Sequence, residues 1–256
     1  MLPAAILFFF IAGACIGSFF NVVIHRLPLD ESIVFPASRC PACGRPIRPL
    51  ENIPIVSYLL LRGRCAGCGG RISPRYPFVE LLTAVGFAAI AWHASDAWML
   101  IRDLLFFALL VPVVFIDIDH RIIPNELSLG GLVAGVALSF FPGGDWKSSL
   151  PGALLGGGVL FATAFLYEKL RKVEGMGGGD IKLLAMIGAF LGWRGAVLTL
   201  FIGSFLGAAG GVLAMRRSGE GLQTAIPFGP YLCVASLIAR YLGEWIWRMA
   251  FVGVLT

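Results

Sequence analysis

Gly175-Met176-Gly177-Gly178-Gly179-Asp180-Ile181-Lys182-Leu183 sets a carboxylate at the end of a glycine run, with an apolar segment, Leu183 to Trp193, directly behind it. Four glycines in five positions leave little side-chain bulk around Asp180, so another stretch of backbone can approach closely. With Ile181 onward helical, Asp180 is expected at the N-cap, where backbone N–H groups and the helix dipole favour a negative charge. The plainer reading is a flexible loop followed by an ordinary capped helix. A second acid shifts the balance. Asp117, in Val113-Val114-Phe115-Ile116-Asp117-Ile118-Asp119-His120, ends a long apolar run. An ionisable group where such a run leaves a membrane is costly to place and for that reason points to function.

Composition supplies the membrane. The 256 residues are 58% hydrophobic and 14% charged, with a mean hydropathy of +0.85. Soluble domains are about a quarter charged, so the chain reads as an all-α polytopic membrane protein. Its formal charge of +5 would suggest nucleic acid in a soluble protein. Here basic loops on the inner side of a membrane account for it, and no nucleic acid is expected. The 33 glycines suit helices packed closely against one another in lipid.

Leu2 to Ile24 is long enough to span the bilayer. No basic region precedes it and His25-Arg26 follow, which favours a retained first span over a cleaved signal peptide. Residues 25–76 break the pattern with eight arginines, several prolines and Cys40-Pro-Ala-Cys43 followed by Cys65-Ala-Gly-Cys68. Paired CxxC motifs are the knuckles of a four-thiolate zinc site, and Gly44 and Gly69 suit the tight turn each knuckle needs. Two disulfides or a redox pair compete with this reading, but the arginines place the loop in the reducing cytoplasm. A polar segment of this size has little core of its own, so structural zinc is expected as its staple.

Further apolar runs follow at about 77–94, 98–116, 126–141, 150–168, 181–193, 196–215 and 225–250, making about eight transmembrane helices with the first. If the chain starts outside, segments 25–76, 117–125, 169–180 and 216–224 are cytoplasmic, and they hold most of the loop cations. Asp117 and Asp180 then share the cytoplasmic face. Three regions result: a first helix (1–24), a four-cysteine cytoplasmic loop (25–76) and a membrane domain of about seven helices (77–256).

Two acids brought together at such a boundary can share a proton, one acting as general base on water and the other as acid toward a peptide carbonyl or leaving amine. Asp180, at a helix N-terminus, is taken as base and Asp117, behind Phe115-Ile116, as acid, with the reverse left open. Positions two apart on a helix point to nearly opposite sides, so only one of Asp117 and Asp119 readily faces Asp180. Lys182 either snorkels at a helix end or pairs with the carboxylate site. Glu80 reads as an interfacial carboxylate or the partner of a loop arginine, and Cys15 and Cys233 as packing residues.

Taken in order, the motifs resemble the bacterial type IV prepilin peptidase family, the bifunctional leader peptidases and N-methyltransferases of pilus and type II secretion systems. Gly17-Ser18-Phe19-Phe20-Asn21-Val22-Val23-Ile24-His25-Arg26-Leu27-Pro28, the paired knuckles and Arg75-Tyr76-Pro77-Phe78-Val79-Glu80-Leu81-Leu82 resemble its N-terminal features. Phe115 to Asn125 resembles its first aspartate motif, Gly177-Gly178-Gly179-Asp180 the GxGD signature shared with presenilin-like proteases, and Pro227-Phe228-Gly229-Pro230-Tyr231-Leu232 its late PFGP motif. The small Gly178 stands where the family often carries a larger residue.

The resemblance implies catalytic Asp117 and Asp180, since the family's first aspartate lies six residues before Ile123-Pro124-Asn125. It implies a membrane aspartic endopeptidase of the bacterial inner membrane that removes the short leader of a prepilin or pseudopilin after a glycine. N-methylation of the new N-terminus from S-adenosylmethionine follows, with zinc held by Cys40, Cys43, Cys65 and Cys68 and membrane lipid as surroundings. The link between the cysteine loop and methylation rests on the resemblance, and no Rossmann-like GxGxxG marks a methyl-donor fold. Asn21 and His25 are candidates for the donor site or the substrate groove. A peptidase without methyl transfer, and a transporter or assembly scaffold in which the acids bind protons or cations, are the competing readings.

Overall fold

The structure, a computed structural model, describes residues 3–141, 143–172, 177–218 and 227–252. Gly175-Met176 of the glycine run, and most of the expected loop 216–224, lie outside them. Eight helices follow in order: α1 (Pro3–Arg26), α2 (Val56–Leu60), α3 (Arg75–His93), α4 (Ala97–His120), α5 (Asn125–Ser139), α6 (Trp146–Arg171), α7 (Gly178–Ser218) and α8 (Gly229–Trp247). Among the described residues there is no strand beyond two isolated bridges, Arg39 with Pro46 and Arg64 with Arg71. Among the described residues, five segments are long and apolar enough to cross a membrane: Pro3–Leu29, Arg75–His93, Ala97–His120, Trp146–Arg171 and Gly178–Arg216. α7 is two helical arms joined at Gly192, whose φ of 71° only glycine adopts easily. Leaving aside the short α2 and counting the arms of α7 separately, the expected eight long helical segments are present in this polytopic membrane protein.

The chain divides into two compact units, Met1–Pro112 and Val113–Thr256. In the first, α1 lies on α3 through Gly13 and Gly17, where an added Cβ would stand 2.7 Å from the Thr83 carbonyl oxygen and the Glu80 Cα. This is the close backbone approach that small residues four apart permit in lipid. The segment between α1 and α3 carries little regular structure: two 3-10 turns (Leu27–Leu29, Pro49–Glu51) and the single-turn α2.

In the second unit the first arm of α7 is buried on nearly every side, with Leu183, Leu184, Met186 and Ile187 fully enclosed. α5 meets it where the Phe190 ring and Ala189 cover Gly135. α6 presents Ser149, Gly152 and Gly156, one stripe of a helix, to the same arm. There Gly152 and Gly188 touch backbone to backbone, and a Cβ on Gly156 would meet the Leu184 carbonyl oxygen at 2.5 Å. The Ser149 hydroxyl donates to the Ala189 carbonyl at 2.7 Å. α8 lies along the second arm, with Leu232 over Gly203 and Phe228 over Gly207.

Two boundaries differ from the hydropathy pattern. α4 does not end at Asp117 but runs to His120 and stops where Arg121 turns left-handed (φ 56°), its N–H donating to the Asp117 carbonyl at 2.9 Å. α7 starts at Gly178, so Asp180 lies inside its first turn and is not the N-cap.

Gly188→Leu is expected to force α6 and α7 apart at a cost of about 1–3 kcal/mol. Thermal unfolding in detergent checks this, with Gly158→Leu, whose Cβ would enter open space, leaving the midpoint in place.

Candidate active site and metal centre

Asp117 is buried, 5% exposed, on the face of α4 that also buries Val113 and Ile116, whereas Asp119 and Ile118 are exposed. The helical offset thus separates the two acids as expected, and Asp117 is the one turned inward. A buried carboxylate needs a donor. It receives one from the N-terminus of α8, where the Gly229 N–H donates to Asp117 Oδ2 at 2.9 Å. Phe228 precedes the helix and Pro230 opens it, a position that costs proline nothing because that N–H has no helical partner. Any side chain at 229 would collide with this carboxylate, since its Cβ would lie 2.6 Å from Oδ2.

Asp180, half-buried in the first turn of α7, is close enough for the charge of Asp117 to act on it. Ile123 fills the space between the glycine motifs: it would sit 3.0 Å from a Cβ on Gly179 and 3.3 Å from one on Gly229. Lys182 Nζ donates to Asn125 Oδ1 at 2.7 Å, which ties the start of α7 to the start of α5. Lys182 therefore bonds Asn125, an option outside the two expected for it. Cys233, one turn beyond Gly229 on α8, is 1% exposed, and the charges of both Asp117 and Asp180 reach it. Two carboxylates within electrostatic reach of each other, one held by a backbone donor, are the groups needed to take a proton from water and to deliver one to a leaving group.

The first unit carries a separate cluster. The sulfurs of Cys40, Cys43, Cys65 and Cys68 all lie within 4.8 Å of one another, and those of Cys40 and Cys68 are 3.9 Å apart. A tetrahedral ion with metal–sulfur bonds of about 2.3 Å needs sulfurs about 3.8 Å apart, so the four thiols can hold a metal ion. Both knuckles are folded alike. Cys40 N–H donates to Arg45 and Gly44 N–H to Cys40, while Cys65 N–H donates to Gly70 and Gly69 N–H to Cys65, all at 2.8–2.9 Å. Gly44 and Gly69 have φ of 68° and 69°, the left-handed turn that glycine was expected to supply. Backbone N–H groups of Cys68 and Gly67 directed at its sulfur draw the Cys65 thiol down to about 6, which favours the thiolate a metal requires. Arg45 binds Glu51 at 2.6 Å beside the cluster.

The same unit forms a cavity of about 610 Å³ lined by α1, the cysteine segment and the start of α3, including Asn21, His25, Tyr58, Tyr76 and Glu80. Asn21 Nδ2 donates to the Tyr76 carbonyl at 3.1 Å. Glu80, 8% exposed, accepts the Ile55 N–H at 2.7 Å and bonds the Ser18 hydroxyl, partners other than the loop arginine expected for it. The sequence pattern pointed to neither partner of Glu80, and it gave Gly229 of the PFGP stretch no physical role. The signal for Gly229 was present in principle, as a glycine-proline helix start with no loop function of its own.

Residues 11–94 match the family described as the bacterial peptidase A24 N-terminal domain, and residues 104–212 match the type IV leader peptidase family. The chain is 40% identical over 267 residues to a protein of Aeromonas hydrophila named prepilin leader peptidase/N-methyltransferase, covering 93% of this chain and 91% of that one. A Pseudomonas aeruginosa protein of the same name is 39% identical over 262 residues, covering 92% and 90%. A third, from Myxococcus xanthus, is 47% identical over 193 residues, covering 75% of this chain and 58% of that longer one. No solved structure matches the chain.

Cobalt(II) added to the metal-free protein is expected to give the charge-transfer and d–d absorption of a tetrahedral thiolate site, at one ion per chain. Cys43→Ser is expected to lose part of the charge-transfer intensity and to bind the ion more weakly.

Proposed function

The chain belongs to the type IV leader peptidase family, and on that premise we propose that it cleaves the leader from prepilins or pseudopilins and then N-methylates the new N-terminus. Cleavage falls after a glycine, at the cytoplasmic face of the bacterial inner membrane. The observation that carries the peptidase reading is the meeting of three separate motifs at one buried carboxylate: Gly229 bonds Asp117, Ile123 packs between Gly229 and Gly179, and the charge of Asp117 reaches Asp180.

In this reading a water lies between Asp117 and Asp180. One carboxylate takes its proton as the oxygen attacks the scissile carbonyl, and the other, protonated, gives a proton to the departing amine. Ionised together they would repel, so the pair works with one shared proton. The N–H of Gly229 holds Asp117 in place, and the α7 N-terminus adds a favourable dipole beside Asp180. The substrate's apolar segment remains in the bilayer while its leader reaches the cytoplasm.

Methyl transfer draws on the names that the relatives carry and on the cysteine unit. Zinc is the ion proposed for Cys40, Cys43, Cys65 and Cys68, since four thiolates in tetrahedral array leave no open position and suit a structural d10 ion. When bound it supplies cohesion to a segment with almost no apolar core. S-adenosylmethionine is proposed as the donor. The cysteine segment, residues 25–76, is assigned to methylation and residues 77–256 to the peptidase.

With purified protein in detergent, a prepilin substrate and labelled S-adenosylmethionine, Asp117→Asn and Asp180→Asn are each expected to lower cleavage at least about a thousandfold, by analogy with other essential catalytic groups. Asp119→Asn is expected to cleave normally. Full cleavage with either inner acid neutralised would overturn the aspartic mechanism. Gly229→Ala, which crowds the carboxylate and its donor, is expected to slow cleavage roughly a hundredfold, the scale of a lost preorganised donor. Stripping the metal with a chelator is expected to abolish methyl transfer and spare cleavage, because the carboxylates belong to a different compact unit from the thiols.

A further inference from the structure

The cavity of about 610 Å³ in the first unit is within the size range of small-molecule sites and holds polar groups of several kinds around a buried carboxylate. A smaller pocket of about 390 Å³ adjoins it. Ser18, Val22, Arg26, Ala37, Ser38 and Asn52 line both, so the two spaces share a wall. The smaller one is further lined by Cys15 and Phe19, exposed residues on the same side of α1.

Glu80 is placed in this cavity with unusual care. Ile55, a β-branched residue, adopts φ 63° and ψ −51°, and the Val56 N–H closes a three-residue turn on the Pro54 carbonyl at 2.6 Å. That is the rare, strained form of γ-turn. Its product is the Ile55 N–H directed at Glu80 Oε2, while Ser18, on the shared wall, bonds the same carboxylate. Backbone strain of this kind persists where the surrounding structure enforces it, and functional sites are where it collects. A carboxylate fixed by two donors at the wall of a cleft is an electrostatic seat for a cation.

We infer that the larger cavity is the binding site for S-adenosylmethionine, with Glu80 facing its sulfonium, and that the smaller pocket admits the acceptor amine across the Ser18–Ala37 wall. The inference rests on the N-methylation reading above. The cavity wall offers what each part of this ligand needs. Tyr58 and Tyr76 are flat surfaces for the adenine, Asn21 is an amide for polar edges, and the wall arginines Arg26, Arg39 and Arg71 suit the methionyl carboxylate. The acceptor enters as a neutral amine, having lost its proton to solvent. Its lone pair forms the N–C bond to the methyl group as the C–S bond breaks, the electron pair remaining on sulfur. The products are an N-methylammonium and the thioether S-adenosylhomocysteine. Glu80 interacts with the positive charge that is present on the donor and absent from the product, which favours donor binding and product release.

Calorimetry on the full chain in detergent, zinc-loaded and without pilin, tests the site with S-adenosylmethionine and S-adenosylhomocysteine as probes. The unaltered protein is expected to prefer the sulfonium. Glu80→Gln, which keeps an acceptor for the Ile55 N–H, is expected to bind the two alike, having lost roughly tenfold in affinity for the sulfonium alone, the scale of one charge-assisted interaction. Ala37→Trp is expected to fill the shared wall and weaken both probes. Both variants should still cleave a prepilin leader at the normal rate, which shows that they fold. Binding of both probes by both variants as by the unaltered protein would overturn the assignment of the cavity. Failure of the unaltered protein to bind the donor or to methylate a product it cleaves would instead overturn the N-methylation reading itself, and this assignment with it.

Discussion

A single hydrogen bond, from the Gly229 N–H to the Asp117 carboxylate, sets the terms for the second unit. A carboxylate this deeply enclosed is tolerable only with a donor, and a helix N-terminus supplies one without bringing in a competing charge. The requirement then propagates. The donor is at 229 only if α8 begins there, which Pro230 encourages. The helix end can approach only if 229 has no side chain, and Ile123 must fill the space that remains. Three short motifs that look unrelated along the chain are thus answers to one demand for a satisfied, buried acid.

The first unit answers a comparable demand with other means. Residues between α1 and α3 bury almost none of their apolar side chains, with Val34, Phe35, Leu50 and Leu60 exposed, so order comes from backbone bonds and from a site for a metal. Each knuckle is closed by its own pair of N–H to carbonyl bonds, which brings the four sulfurs to metal-binding separation. Glu80, again a buried carboxylate, is met by a backbone N–H, here taken from a strained turn and not from a helix end. Both units therefore hold an acid by main-chain donors, which do not titrate and have little freedom to move.

Hydropathy made the helical architecture legible because a membrane records itself directly in composition. The limits of that record are equally physical. Hydropathy stops at the first charge, so α4 was expected to end at Asp117. The helix stops where the backbone must, at left-handed Arg121 ahead of Pro124. Gly178 and Gly179 are poor helix formers, so α7 was expected to start at Ile181; the helix nonetheless begins at Gly178, with Gly179 packed against Ile123. The choice of Asp117 over Asp119 followed from helical offset and motif spacing, and the burial of one and exposure of the other agree with it. The placement of Glu80 was not legible. Its partners, Ser18 and Ile55, are far from it in sequence, and a γ-turn centred on isoleucine has no compositional sign.

The wall around Asp117 also has a consequence for how the site can change. At Gly179 and Gly229 it is built from main chain, with hydrogen atoms where other pockets carry side chains. Such a wall has no rotamers. It cannot adjust to a differently shaped occupant by flipping a methyl group, and at Gly229 it cannot be reshaped in small steps, because the smallest substitution already sets a Cβ 2.6 Å from the carboxylate oxygen. Variation among descendants of this chain is therefore confined to surfaces away from the carboxylate, where side chains can be exchanged one at a time while the floor of the site stays the same.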